Sequence, residues 1–134
     1  MLNPFPELLV FGFFAPTLLR LAAAGVFLYV VSAQWERREA MAKIPFPIIG
    51  TSWGMGVVWV AVIIELIIAG MLLAGYYTQI AALLGMVAAT KYFYFEKWWP
   101  TFAPLSRVTS VLLFVILISL LLSGAGALAY DLPL

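Results

Sequence analysis

The 134-residue chain contains no cysteine and no histidine. Without cysteine it can form no disulfide, no thiol redox centre and no iron–sulfur cluster. Without histidine it lacks the commonest side-chain ligand of metals and haem, and also the commonest general base. These absences favour a non-catalytic binding subunit over an enzyme, and we expect no bound metal and no haem.

Charged residues are also scarce. Seven are basic and six are acidic, so they make up 10% of the chain, whereas soluble domains have about 25%. Hydrophobic residues reach 66%, which excludes both a soluble monomer and a disordered chain. A net charge of +1 with no basic stripe excludes nucleic acid as a partner. The expected partner is the lipid bilayer, and the chain is predicted to be an integral membrane protein.

Apolar stretches long enough to cross a bilayer, which takes about 20 residues of helix, occur four times. They cover residues 8–33, 53–75, 78–95 and 108–129. Because a backbone in lipid must satisfy its own hydrogen bonds, each stretch is predicted to be a helix. The predicted fold class is therefore all-α, with a single domain over residues 1–134 that forms a four-helix transmembrane bundle. The connection at residues 34–52 is predicted to lie on the membrane surface.

The basic residues of the loops fall on one side of the predicted bundle. Three lie in the first connection and two in the third: Arg37, Arg38, Lys43, Lys97 and Arg107. The positive-inside rule places this side in the cytoplasm and both termini outside.

Three ionisable residues fall inside predicted spans, namely Arg20, Glu65 and Lys91. A charge at mid-bilayer costs about 2.5–3.5 kcal/mol on insertion scales, so it persists only when it is paired or hydrated. Because Arg20 and Glu65 are predicted at the same depth, we expect them to meet inside the bundle. The pair then either fixes the register of the helices or lines a ligand or proton site. Lys91 either extends its ammonium group to the interface or joins that site.

Aromatic residues follow Lys91 on the third span, among them Tyr92, Tyr94 and Trp98. One interpretation is an aromatic belt at the membrane interface. The other is the mouth of a site for a flat lipophilic ligand such as a quinone, with rings for stacking and Lys91 as hydrogen-bond donor.

Small residues recur at every fourth position of the third span, at Ala81, Gly85 and Ala89. Such a face lets helix backbones approach closely in lipid. We therefore predict that the third helix is the most enclosed of the four.

Several motifs occur in a fixed order along the chain. The first span contains Leu18-Leu19-Arg20-Leu21, followed by Gly25 and Phe27. The second contains Glu65-Leu66, followed by Gly70, Gly75, Thr78 and Ala81-Ala82-Leu83-Leu84. The chain closes with Gly124-Ala125-Gly126 and Asp131. This order resembles the DoxX family of small four-helix membrane proteins of bacteria and archaea, and it covers nearly the whole chain.

The resemblance implies a prokaryotic cell membrane and association with a membrane or soluble oxidoreductase partner. Members of the family include the quinone-reducing subunit of archaeal thiosulfate oxidation. Gly124, Gly126 and Asp131 are the C-terminal motif that the resemblance implies. Since this chain has no cysteine or histidine, electrons would have to pass through a bound quinone or flavin, or through a partner.

The predicted function is a DoxX-like subunit that binds a small lipophilic molecule, a quinone among the candidates. The predicted site consists of Arg20, Glu65 and Lys91, in which Glu65 accepts or relays a proton. Two alternatives remain open, a small proton-coupled transporter and a structural or assembly subunit in which Arg20 and Glu65 lock the register. A homo-oligomer is compatible with each of these functions.

Overall fold

The computed structural model describes residues 5–45 and 51–131, and over these residues the chain is helical with no strand. A 3₁₀ helix spans Pro6–Phe14 and leads directly into α1, Ala15–Glu36. After the short helix α2, Arg38–Ala42, three long helices follow: α3, Gly54–Ala74; α4, Thr78–Trp98; and α5, Arg107–Ser123. An all-α fold is therefore confirmed for the described part of the chain.

The ends of the helices differ from the predicted spans at several points, and α4 extends to Trp98 rather than residue 95. The α-helical part of the first span begins only at Ala15, because Pro16 lacks an N–H and fits the first turn of a helix. The last helix ends at Ser123 rather than at residue 129, because Gly124 leaves the helical conformation with φ of 76°. Gln34, predicted to begin a surface connection, instead belongs to α1 and is fully buried. Residues 46–50 of that predicted connection lie outside the described residues.

Two helical stretches, Pro6–Glu36 and Gly54–Ala74, are long and apolar enough to cross a membrane. The last helix, Arg107–Ser123, is also apolar but has only 17 residues. A crossing by all four long helices stays a prediction.

The four long helices form a ring in which α1 packs on α3, α3 on α4, α4 on α5, and α5 again on α1. Neighbouring helices run in opposite directions. At one end of the α4–α5 pair, Gln79 Nε2 donates to the carbonyl of Leu121. At the other end, Arg107 Nε lies 3.1 Å from Glu96 Oε2.

The small-residue face of α4 is buried, as predicted, at Ala81, Gly85 and Ala89. A Cβ added at Gly85 would lie 3.1 Å from the ring of Phe27 on α1 and 3.0 Å from Leu117 on α5. Glycine at this position therefore lets α4 sit close to two neighbouring helices. This close packing encloses the polar residues of α1, α3 and α4.

Candidate functional site

Glu65 lies in the middle of α3, where its side chain is only 1% exposed. Lys91 of α4 brings its Nζ to 2.6 Å from Glu65 Oε1. Gln34 of α1 donates from Nε2 to the same oxygen at 3.3 Å, and also to the carbonyl of Phe102 at 3.0 Å. Three helices and the loop before α5 thus hold one buried carboxylate. Gln34, Glu65, Lys91 and Tyr92 are called the Glu65 cluster below.

Three polar atoms of the Glu65 cluster are buried without a hydrogen bond of regular geometry among the described residues. They are Glu65 Oε2, Gln34 Oε1 and the hydroxyl oxygen of Tyr92, which faces Glu65. The orientation of the Gln34 amide is set by its partners, since Nε2 faces two acceptors and the carbonyl oxygen must point elsewhere. Each unsatisfied buried polar group costs about 1–3 kcal/mol. The cluster therefore has unused capacity for hydrogen bonds in the interior of the bundle.

Lys91 connects the Glu65 cluster to the surface of the bundle. Its side chain is 28% exposed, whereas Gln34, Glu65 and Tyr92 are buried. The ammonium also lies 4.8 Å from the centre of the Tyr92 ring, within the range of a cation–π contact. A molecule that approaches the cluster from outside would therefore meet Lys91 first. A cavity of about 550 Å³ lies elsewhere, between the start of α4 and the C-terminal segment.

Arg20 is not part of this cluster, and the prediction that it meets Glu65 is wrong. Its Nη1 donates to the carbonyl of Ala125 at 3.1 Å and its Nη2 to the carbonyl of Leu128 at 2.9 Å. The guanidinium packs against Gly75, where any Cβ would collide with it. Since Gly75 lies ten residues from Glu65 along α3, the two charged groups differ in depth by about 15 Å.

The predicted C-terminal motif lies at the Arg20 end of the bundle. The Asp131 carboxylate accepts hydrogen bonds from the backbone N–H groups of Tyr77 and Thr78, at 2.8 and 2.6 Å, and so caps the start of α4. Gly126 has φ of +73°, and a Cβ there would lie 2.8 Å from Pro16. The C-terminal segment, residues 124–131, therefore closes this end of the bundle, and Arg20 and Asp131 both hold it in place.

The surroundings of Asp131 change its acidity. Partial burial acts to raise the pKa of this carboxyl. The hydrogen bonds from Thr78 and Tyr77 and the positive charge of Arg20 act in the other direction and outweigh it. The pKa of Asp131 therefore lies below the ordinary value for an aspartate.

The predicted aromatic mouth does not form as a single group. Tyr92 is fully buried, whereas Tyr94 is 64% exposed and Trp98 is 71% exposed. Two residues of helix correspond to a rotation of about 200°, so Tyr94 faces away from Tyr92. Of the three aromatic residues, only Tyr92 belongs to the Glu65 cluster.

Gln34 was not predicted to be a site residue. The amide side chain lies just beyond the predicted first span, at 8–33, and was assigned to the surface connection. Its spacing was the available signal, because Gln34 lies four residues after Val30 and seven after Phe27, on the same buried face of a continued helix. The contribution of the Phe102 carbonyl has no sequence signal.

Comparison with models of known families, with curated proteins and with solved structures returns no match. The resemblance to the DoxX family therefore stays a prediction from the order of the motifs. The function has to be inferred from the geometry and chemistry of the Glu65 cluster.

Proposed function

We propose that α1, α3, α4 and α5 all cross a prokaryotic cell membrane as a DoxX-like four-helix bundle. Large apolar side chains are exposed around it, including Leu18 at 67%, Val87 at 71% and Leu112 at 59%. Contact of these side chains with lipid carries no free-energy cost, whereas their exposure to water is unfavourable. The 21 residues of α4 measure about 31 Å, close to the thickness of the hydrocarbon core.

The orientation follows from the basic loops, which we place in the cytoplasm with both termini outside. Because the chain has no cysteine of its own, single cysteines can report it. We expect a membrane-impermeant maleimide to label Tyr130→Cys in intact cells, since Tyr130 is 81% exposed. It should label Glu39→Cys only after the cells are permeabilised. The reverse pattern would contradict the orientation, and recovery of the protein in the soluble fraction would contradict insertion.

The function that the geometry supports best is the binding of a small lipophilic molecule with a polar head, such as a quinone in either oxidation state. The protein would serve as a non-catalytic subunit of a membrane oxidoreductase system. The observation that carries this proposal is the buried carboxylate of Glu65. One of its oxygens has no partner of regular geometry among the described residues, and its ion-pair partner Lys91 reaches the surface.

The residues of the cluster have distinct roles in this proposal. The Lys91 ammonium has three N–H groups, and those not bound to Glu65 are free to hold an oxygen of the ligand. Glu65 accepts or relays a proton, since a carboxylate beside a bound head group is suited to that exchange. Gln34 fixes the orientation of the carboxylate. Lys91, rather than Arg20, is the charged partner of Glu65.

A titration of the purified protein in lipid nanodiscs tests this function. A short-chain quinone and its hydroquinone are added while the fluorescence of the five tryptophans is followed. We expect saturable quenching by at least one of the two forms, with an affinity that changes in Glu65→Gln and falls in Lys91→Met. Glu96→Gln is the matched control, because Glu96 pairs with Arg107 at the surface. No saturable quenching, or equal affinity in Glu65→Gln and the wild type, would refute the proposal.

A purely structural role has one observation in its favour. Glu65 bonds to Gln34 on α1 and to Lys91 on α4, so the cluster ties three helices at one level, as a register lock would. The double variant Glu65→Leu with Lys91→Met separates the two roles, since a buried ion pair can be replaced by apolar residues without loss of stability. A structural role predicts that this variant keeps its activity in the cell, and the binding function predicts that it does not.

A further inference from the structure

The free polar atoms of the Glu65 cluster are mostly hydrogen-bond acceptors. A carboxylate oxygen such as Glu65 Oε2 and an amide oxygen such as Gln34 Oε1 can only accept a hydrogen bond. The hydroxyl of Tyr92 can donate one hydrogen bond and can also accept. Even if Tyr92 donated to Glu65 Oε2, the Gln34 oxygen would remain without a donor. The buried part of the cluster therefore lacks donors rather than acceptors.

The two free oxygens are near one another. Glu65 Oε1 and Gln34 Nε2 are 3.3 Å apart, and each free oxygen belongs to the same small planar group as one of these atoms. The two oxygens are therefore separated by at most about 8 Å, by bond lengths and angles alone. A single polar head group can span a region of this size, so one ligand can form hydrogen bonds with this part of the cluster.

The two kinds of ligand head differ in what they can satisfy. A head that carries only carbonyl or ether oxygens can bind the Tyr92 hydroxyl or Lys91, and it leaves the oxygens of Glu65 and Gln34 without partners. A hydroxyl head can donate to either oxygen and can also accept from Lys91. Hydrogen bonds to a charged acceptor are the stronger kind.

Given the proposed function, we infer that the Glu65 cluster selects a lipophilic molecule whose head donates a hydrogen bond, such as a phenol, over one whose head only accepts. For a molecule that exists in two oxidation states, the cluster binds the hydroxyl form more tightly than the carbonyl form. Glu65 determines this preference through its free oxygen, and Gln34 contributes by holding the carboxylate in place.

A matched pair of probes tests the inference. The compounds are para-hexylphenol and its methyl ether, which differ only in the hydroxyl hydrogen. Binding to the whole protein in nanodiscs is measured by calorimetry, with empty nanodiscs correcting for partition into lipid. We expect the phenol to bind at least about tenfold more tightly than the ether, the difference expected for one hydrogen bond to a buried charged group.

Substitution of Glu65 by glutamine tests whether the free oxygen of Glu65 is responsible for the preference for the phenol. In Glu65→Gln the amide oxygen stays beside the Lys91 ammonium, so the amide N–H₂ takes the position of Oε2. The cluster then presents a donor, and the ether should bind as tightly as the phenol or more tightly. The surface variant Glu96→Gln should keep the wild-type preference. Circular dichroism of each variant shows whether the helices are intact.

The outcomes separate this inference from the proposed function. If both compounds bind the wild type saturably and equally, the inference is wrong while the binding function stands. A preference that survives in folded Glu65→Gln also overturns it. If neither compound binds the wild type saturably, the proposed function fails and the inference with it. The comparison in the wild type decides by itself if Glu65→Gln does not fold.

Discussion

Replacement of Lys91 by methionine is expected to destabilise the bundle, because it leaves the Glu65 carboxylate in the interior without its ion-pair partner. Methionine keeps the length of the side chain, so the main change is the loss of the ammonium 2.6 Å from Glu65 Oε1. The hydrogen bond from Gln34 at 3.3 Å remains. The variant therefore measures how much the folded state depends on this charge.

The magnitude follows from the exposure of the two partners. Removing one member of a fully buried pair costs about 3–5 kcal/mol. Glu65 is 1% exposed, but Lys91 is 28% exposed, so solvent already screens part of the attraction. We expect a loss near the lower end, about 3 kcal/mol in the free energy of unfolding.

The assay is reversible unfolding by SDS in mixed micelles, followed by far-ultraviolet circular dichroism. Lys97→Met is the matched control, since Lys97 is an exposed lysine on the same helix and lies over the ring of Trp98. Its loss should cost no more than about 0.5–1 kcal/mol, the value of an exposed cation–π contact.

A second comparison measures the contribution of the interaction between Glu65 and Lys91. In a Glu65→Leu background no carboxylate is left unpaired, so Lys91→Met should cost much less than in the wild type. The reasoning is refuted if Lys91→Met costs no more than Lys97→Met. It is equally refuted if the cost is the same with and without Glu65.

Three further predictions concern the end of the bundle closed by residues 124–131. Arg20→Met should lower the free energy of unfolding by about 2 kcal/mol, because the buried carbonyl of Ala125 and the partly buried carbonyl of Leu128 lose a charged donor; the same SDS titration measures this loss, and an unchanged free energy would contradict the prediction. Gly126→Ala should be destabilising by about 1–2 kcal/mol, since φ is +73° and Pro16 is close. Its matched control is Gly70→Ala within α3, which has open space around it and should be neutral or stabilising. Asp131→Asn should be less stable than the wild type at pH 7. Because the pKa of Asp131 is lowered in the folded state, its contribution is present above about pH 4 and is lost as the pH falls through the folded value. The free energies of unfolding of Asp131→Asn and of the wild type should therefore converge in acid. A difference that persists there would refute the proposed contribution of the Asp131 carboxylate to stability.

Most of the helical architecture could be predicted from local features of the chain. Long apolar runs predicted helices close to α3 and α4, and the small residues of α4 predicted its close packing. The errors lie at the ends of the elements. Pro16 and Gly124 shifted the limits of the first and last helices, and Gln34 extended α1 beyond its apolar run.

The composition of the candidate site could be predicted only in part. Glu65 and Lys91 were both identified, because a charge inside an apolar helix has few explanations other than pairing or function. Their pairing was not predicted, since Arg20 was expected to be the partner. The depth of a side chain within the bundle depends on where its helix begins. The Arg20 guanidinium contacts Gly75, ten residues from Glu65, and ten residues of helix correspond to about 15 Å.

The sequence by itself determined that this chain is helical and apolar, that it has no cysteine or histidine chemistry, and that very few charged side chains are candidates for a site. The tertiary structure decided which of those charges meet. Arg20 bonds to carbonyl groups 105 and 108 residues away, and Asp131 caps a helix that begins 53 residues earlier. Such contacts depend on the arrangement of all four long helices and the C-terminal segment. Local propensity and periodicity carry no information about which distant segments come into contact.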